Sequence, residues 1–142
     1  MAEISKRKQV VLVTGASGSM GFETFKLLWE KRDRYDIVLL LRPSRKEKKQ
    51  FRKYEQQALI EAESVSGTGA VGGQVLKIVW GDALNRNDVV KACRGIDWCL
   101  HHMALISPEA DRNPEMAEKV NTRGTQYIVE AIEAENPDHI RL

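Results

Sequence analysis

Three glycines at every third position set the strongest constraint on how this chain folds. Gly15, Gly18 and Gly21 follow the apolar run 10–13, which has the length and β-branched character of a buried strand, and they open a segment with helical periodicity. In such a turn one glycine permits the tight bend, one lets backbone amides approach a pyrophosphate, and one lets the helix pack closely on the strand. The strand before the loop and the helix after it favour a dinucleotide-binding loop over a plain turn.

Apolar runs and segments with helical periodicity alternate along the rest of the sequence. Strands are predicted at residues 10–13, 37–41, 75–80 and 97–102, and a fifth opens at 139–142. Helices are predicted at 20–31, 44–63, 88–93 and 114–135, the last from the stripe Met116, Val120, Gly124, Ile128 and Ile132. This alternation predicts an α/β fold, a Rossmann-like doubly wound parallel sheet with helices on both faces that is truncated in or after the fifth strand.

Composition supports one ordinary domain over residues 1–142, with 42% apolar and 30% charged residues. The formal charge of +2 gives no argument for nucleic acid or a membrane surface. Residues 64–74 carry four glycines without periodicity and are predicted to be a flexible surface loop. With two cysteines and no apolar run of signal-peptide length, we expect a cytoplasmic protein.

Four motifs follow one another in the order of a known family. They are the T-G-x-x-G-x-x-G loop at 14–21, Gly-Asp-Ala-Leu at 81–84, the segment 97–104 against D-x-V-x-H-x-A-A, and Asn-x-x-Gly-Thr at 121–125. Together they resemble the extended short-chain dehydrogenase/reductases, also called the NAD-dependent epimerase/dehydratase family. The resemblance implies a hydride transfer between a nicotinamide dinucleotide and a carbonyl or sugar-nucleotide substrate.

The glycine loop, the end of the second strand and the resemblance together imply a set of cofactor-binding residues. They are Gly15, Ser17, Gly18, Ser19, Met20, Gly21, Arg42, Ser44, Arg45, Asp82, Ala83, His102, Met103, Ala104 and Asn121. Asp82 corresponds to the aspartate that recognises the adenine, and His101 to a positioning histidine. His102 and Met103 are larger than the family's usual residues and are expected to narrow the nicotinamide side of the pocket.

No catalytic residue is predicted. The family's Ser/Thr and Tyr-x-x-x-Lys lie after the fifth strand, and this sequence contains no such pair. The residues four positions after Tyr35, Tyr54 and Tyr127 are Leu39, Ala58 and Ala131, and none of these is a lysine. The chain is therefore expected to be the cofactor-binding half of such an enzyme and inactive alone, because it lacks a general acid–base group.

The end of the second strand indicates which nucleotide binds. An NAD-selective site places an acid there, but this chain has Arg42 followed by Ser44, Arg45 and Lys46, while Asp36 lies at the other end of the strand. NADP(H) is thus favoured over NAD(H), since guanidinium groups match phosphate oxygens. The further basic residues up to position 53 suit a solvated helix face equally well.

Several alternatives remain open. The same fold serves a non-catalytic NADP-sensing module, and a basic interaction or nucleic-acid module would show binding that weakens with salt. A metal site at Cys99, His101 and His102 is disfavoured because no further ligands appear at ligand spacing.

Family members often dimerise, so a homodimer is a further expectation. The three tryptophans are predicted to pack in the core or between helix and sheet.

Overall fold

The computed structural model describes residues 7–66, 75–104 and 109–135, and in these ranges four parallel strands form one sheet. The strands are β1 (Gln9–Thr14), β2 (Tyr35–Leu41), β3 (Leu76–Trp80) and β4 (Trp98–His101), in the spatial order β3-β2-β1-β4. The helices are α1 (Ser19–Glu30), α2 (Arg45–Ser66), α3 (Arg86–Cys93), α4 (Glu109–Arg112), α5 (Pro114–Glu118) and α6 (Thr125–Glu135), with a π-helix at Lys119–Gly124. The predicted parallel α/β sheet is confirmed.

Strand β1 lies at the centre of the sheet. Val13 aligns with Leu39 of β2 on one side and with Leu100 of β4 on the other. The chain order reverses between β1 and β4, and ligands of open α/β sheets bind outside the carboxyl ends of the strands at such a point. The topology therefore predicts a site beside the carboxyl end of β1.

Each face of the sheet packs against its own helices. Leu12 faces the core that contains Val89 of α3 and Ile128 of α6, whereas its neighbour Val13 faces the core that contains Phe25 of α1. Successive residues of a strand point to opposite faces, so one buried strand supplies both cores. The predicted placement of helices on both faces is confirmed.

Two boundaries differ from the sequence prediction for local reasons. Helix α2 continues to Ser66, into the predicted loop 64–74, because Gly67 is the first glycine of that stretch. Residues 67–74 lie outside the described ranges, as do the predicted fifth strand at 139–142 and the carboxyl end of the chain. Helix α3 begins at Arg86, two residues before the predicted start, since the Asn85 side chain accepts hydrogen bonds from two amides of the first turn.

The predicted helix at 114–135 is wrong as a single α-helix. It is divided into α5, the π-helix and α6. The wider π turn changes the phase of the residues before it relative to those after it. Ile128 is fully buried as predicted, but Met116 is 40% exposed and Ala117 is buried in its place.

Two of the three tryptophans pack as predicted. Trp29 and Trp80 pack against the core that contains Phe25. The prediction is wrong for Trp98, which is 40% exposed because its position lies at the amino end of the short strand β4; its indole N–H donates to Gln9 Oε1. None of the helices in the described ranges has the length and hydrophobicity of a membrane-spanning segment.

Candidate functional site

A cavity of about 400 Å³ opens at the carboxyl ends of the strands. It is lined from all four strand ends and from the helices beyond β4 by Gly15, Ser17, Gly18, Leu40, Leu41, Arg42, Glu47, Asp82, Ala83, Leu84, His102, Met103, Ala104, Met116 and Val120. Its position is the one that the reversal of strand order predicts. The cavity is therefore the candidate site.

The structure brings most, but not all, of the sequence-predicted site residues into the lining. Six predicted residues do not line this cavity: Ser19, Met20, Gly21, Ser44, Arg45 and Asn121. Six lining residues were not predicted: Leu40, Leu41, Glu47, Leu84, Met116 and Val120. Among the latter, Glu47 is the one charged group, and its place in an S-x-x-E pattern was the available signal in the sequence.

The glycine loop takes the geometry that its spacing predicts. Gly15 has φ of +68°, and a Cβ there would lie 2.7 Å from the Met103 amide nitrogen, so a side chain is excluded by both backbone conformation and space. A Cβ on Gly21 would collide with the Gly15 carbonyl group, which gives the third glycine a packing role beneath the turn. Met20, by contrast, is 75% exposed and points away from the core.

Helix α1 presents its first turn at this loop without a side-chain cap. Gly18 is the extended N-cap residue, and its amide donates to the Gly15 carbonyl at 3.1 Å. No side chain in the part of the chain that the structure describes caps the following amides. Unpaired amides and the positive end of the helix dipole favour an anionic group at this place.

At the end of β2, a guanidinium and a carboxylate stand side by side. Arg42 Nε lies 3.6 Å from Glu47 Oε1, and the Arg42 side chain is 75% exposed whereas that of Glu47 is 7% exposed. Ser44 is absent from the lining because its hydroxyl accepts the Glu47 amide hydrogen at 3.2 Å and caps α2. Arg45, the first residue of α2, is exposed outside the cavity.

The end of β3 is held by a compact turn. Asp82 Oδ1 accepts the Leu84 amide hydrogen, and the Asp82 amide donates to Asp88 Oδ2, both at 2.9 Å. A Cβ on Gly81 would lie 2.5 Å from the Asp88 carboxylate, so this carboxylate can approach the turn only because position 81 is glycine. The turn thus fixes the Asp82 backbone at the rim of the cavity.

His101 lies behind the cavity and joins three elements. Its Nδ1 is 2.6 Å from Thr14 Oγ1, and its Nε2 is 2.9 Å from Thr125 Oγ1. Since the Thr125 hydroxyl donates to the Asn121 carbonyl, it accepts from His101 Nε2–H, which leaves Nδ1 to accept from Thr14. These directions assign the neutral Nε2–H tautomer. Burial, with a smaller contribution from the nearby His102, lowers the pKa of His101.

The two residues that depart from the family pattern have specific neighbours. His102 Nε2 lies 3.1 Å from the Thr24 hydroxyl of α1, so this ring links the end of β4 to the helix that follows the glycine loop. The Met103 methyl group would lie 3.1 Å from a Cβ on Gly124. Met103 therefore fills the space that Gly124 leaves open, which explains a glycine in the middle of a helical segment.

The thiols and histidines form no metal site in the ranges that the structure covers. No group of three or more His, Cys, Asp or Glu side chains converges there. Burial raises the pKa of Cys93 to about 11 and that of Cys99 to about 12, so both thiols are protonated at neutral pH.

Solved structures of other proteins share this fold, and three of them illustrate the similarity. Pen from Bacillus thuringiensis aligns with a TM-score of 0.70 at 18% identity, and the alignment covers 91% of this chain and 35% of the Pen chain. UDP-N-acetylglucosamine 4-epimerase from Methanobrevibacter ruminantium M1 gives 0.62 at 18% identity, covering 92% and 36%. A short-chain dehydrogenase/reductase superfamily protein from Agrobacterium tumefaciens with bound NAD gives 0.55 at 24% identity, covering 89% and 30%. The chain thus spans about a third of the length of these proteins.

A family model described as polysaccharide biosynthesis protein matches residues 11–140, which is nearly the whole chain. The matched range includes the glycine loop and all four strand ends that line the cavity. The chain therefore belongs to this family and, with it, to the extended short-chain dehydrogenase/reductases of the NAD-dependent epimerase/dehydratase type.

Proposed function

We propose that the cavity binds a nicotinamide dinucleotide, NADP(H) in preference to NAD(H), and that the chain is the cofactor-binding domain of an oxidoreductase or epimerase/dehydratase. The observation that carries this proposal is one cavity lined by both the glycine loop and Arg42. The first contributes amides suited to a pyrophosphate, and the second contributes a cation suited to a phosphate on the ribose.

The residues present fit such a group. Gly15 and Gly18 line the cavity beside the uncapped first turn of α1, whose amides suit a pyrophosphate, and the Asp82 turn offers a carboxylate at the rim for the adenine end. His102 and Met103 line the part of the cavity beyond β4, where the nicotinamide end would lie. When bound, the nicotinamide supplies the hydride donor or acceptor, while this chain holds and orients it.

The preference for NADP(H) rests on Arg42. Its guanidinium is 75% exposed at the end of β2, and a cation and a phosphate about 4 Å apart attract each other by roughly 4 kcal/mol in an effective dielectric near 20, before desolvation and screening. Screening at such an exposed position leaves a fraction of that energy. The attraction nevertheless favours NADP(H), because NAD(H) lacks the phosphate on which the Arg42 charge would act.

Calorimetric titration of the 142-residue chain with NADPH and NADH tests both parts of the proposal. Arg42→Ala is expected to weaken NADPH binding about tenfold, which corresponds to roughly 1.4 kcal/mol, and to leave NADH binding nearly unchanged. Arg52→Ala removes an exposed arginine of the same basic segment that neither lines the cavity nor was predicted to bind the cofactor, and it is the matched control. Tighter binding of NADH to the wild-type chain, or unchanged NADPH binding by Arg42→Ala, would contradict the preference.

We further propose that the whole protein transfers a hydride to or from a carbonyl or sugar-nucleotide substrate, and that this chain alone is inactive. The similarity to an epimerase solved with a sugar nucleotide and to a protein solved with NAD supports the substrate and cofactor classes. The missing Tyr-x-x-x-Lys pair supports inactivity. Carbonyl-dependent oxidation of NADPH by the purified chain would contradict inactivity.

A cytoplasmic homodimer completes the proposal. Both cysteines are free thiols, which is compatible with a reducing compartment. Light scattering coupled to size-exclusion chromatography is expected to give twice the chain mass of 16.1 kDa, and a monomer mass would contradict the dimer.

A further inference from the structure

Glu47 is a buried carboxylate inside an otherwise basic segment. Between positions 42 and 53 it is the only acid, and its side chain is 7% exposed, while its basic neighbours Arg45, Lys46 and Lys48 are exposed. It also lines the candidate nucleotide cavity. Burying a charge is costly unless the charge has partners, so the position of this side chain calls for a physical reason.

Helix capping explains only part of why the Glu47 side chain lies here, because one of the two hydrogen bonds of a capping box is absent. Ser44 and Glu47 have the spacing of a capping box, in which each side chain bonds the other residue's amide. The Ser44 hydroxyl does accept from the Glu47 amide, but the Ser44 amide donates to the Arg42 carbonyl at 2.8 Å. The Glu47 carboxylate is therefore not used in the reciprocal half of the box.

Arg42 does not use the full capacity of this carboxylate either. The separation of 3.6 Å between Arg42 Nε and Glu47 Oε1 is an ion pair, but it is longer than a hydrogen bond. A carboxylate accepts several hydrogen bonds, and this one lies against the cavity at the end of β2. In dinucleotide folds the ribose hydroxyls of the adenosine lie near this end of the sheet.

We propose that Glu47 is a second specificity-determining residue of this site and that it opposes Arg42. Its carboxylate accepts a hydrogen bond from the 2′-hydroxyl of the adenine ribose of NAD(H), and it repels the phosphate that replaces this hydroxyl in NADP(H). The proposal rests on the proposed function of the cavity. Arg42 favours NADP(H) and Glu47 favours NAD(H), so the site binds both nucleotides. Its preference is set by the difference between these two opposing binding energies.

The test measures the ratio of the NADH and NADPH dissociation constants for each form of the 142-residue chain. Glu47→Gln removes both the charge-assisted hydrogen bond to NADH and the repulsion of NADPH, so both effects raise the ratio, by about tenfold. Glu47→Asp keeps the charge but shortens the reach, and its ratio is expected to lie between those of wild type and Glu47→Gln. Glu55→Gln makes the same change of charge on the same helix and is expected to leave the ratio unchanged.

The ratio of two constants from one preparation does not depend on the fraction of folded chain, so a loss of stability does not obscure the result. If both nucleotides bind and Glu47→Gln leaves the ratio within about twofold of wild type or lowers it, this proposal fails and the cavity's function stands. A Glu47→Asp ratio at or above that of Glu47→Gln would also overturn it. If neither nucleotide binds the wild-type chain, the proposed function fails and this inference fails with it.

Discussion

At the scale of single residues, the close approach of two backbone segments at Gly15 is the most constrained feature of the site. We expect Gly15→Ala to lower the free energy of unfolding by about 1–3 kcal/mol, because alanine disfavours positive φ and its Cβ would collide with the Met103 amide. Urea denaturation measures the loss. Gly95 has a φ of +71° with no atom within 4 Å of a Cβ, so Gly95→Ala isolates the backbone cost. An equal loss in both variants would contradict the close approach.

His101 predicts a residue-specific dependence of stability on pH. Its pKa in the fold is lower than the ordinary value of 6.5, so the unfolded chain binds the proton more readily. The contribution to the free energy of unfolding is therefore full above about pH 6.5 and is lost as the pH falls through that value toward the folded pKa. Denaturation between about pH 8 and pH 5 is expected to show this decline, reduced in His101→Gln. An imidazole that titrates above 6.5 by NMR would contradict the assignment.

At the scale of elements, the junction between the π-helix and α6 depends on one hydroxyl. Thr125→Val removes the acceptor for His101 Nε2–H and the donor to the Asn121 carbonyl, and a buried donor left without a partner costs about 1–3 kcal/mol. We expect a loss of that size in urea denaturation. Thr122→Val makes the same change at an exposed position of the π-helix and is expected to cost less than about 0.5 kcal/mol.

The sequence predicts the elements best where a single local rule governs them. The glycine loop, the strands and α1 follow from apolar periodicity and glycine spacing, and the structure places them within a few residues of the prediction. The π-helix does not follow from periodicity. The Thr125 hydroxyl that follows it donates to the Asn121 carbonyl and pairs with His101 of β4, and this contact between distant elements has no signature in the local sequence. The short helix α4 was not predicted either, and four residues give too little periodicity to detect.

The same distinction applies to the site. Arg42 was found because it directly follows a strand, and strand ends converge in a parallel sheet. Glu47 was missed because it belongs to the first turn of α2, where an acid is an ordinary capping residue. Its burial depends on how α2 approaches the end of β2, which is a tertiary contact that the sequence pattern does not encode.

At the scale of the whole molecule, two cores on opposite faces of one sheet predict additive mutations. Phe25→Leu and Ile128→Val lie in different cores, and their separate losses are expected to add within about 0.5 kcal/mol in the double variant. Phe25→Leu combined with Phe51→Leu, whose rings are 5.2 Å apart, is the contrasting pair and is expected to deviate by more. Strong coupling between Phe25 and Ile128 in urea denaturation would show that the sheet transmits strain between its faces.

The cavity takes its lining from the ends of all four strands, which come from distant parts of the chain. A ligand of this cavity binds only the state in which all four strands are paired, since a chain with one strand unpaired lacks part of the cavity lining. Ligand present during synthesis or refolding would therefore raise the folded fraction of destabilised variants, provided that those variants still form the complete four-stranded sheet.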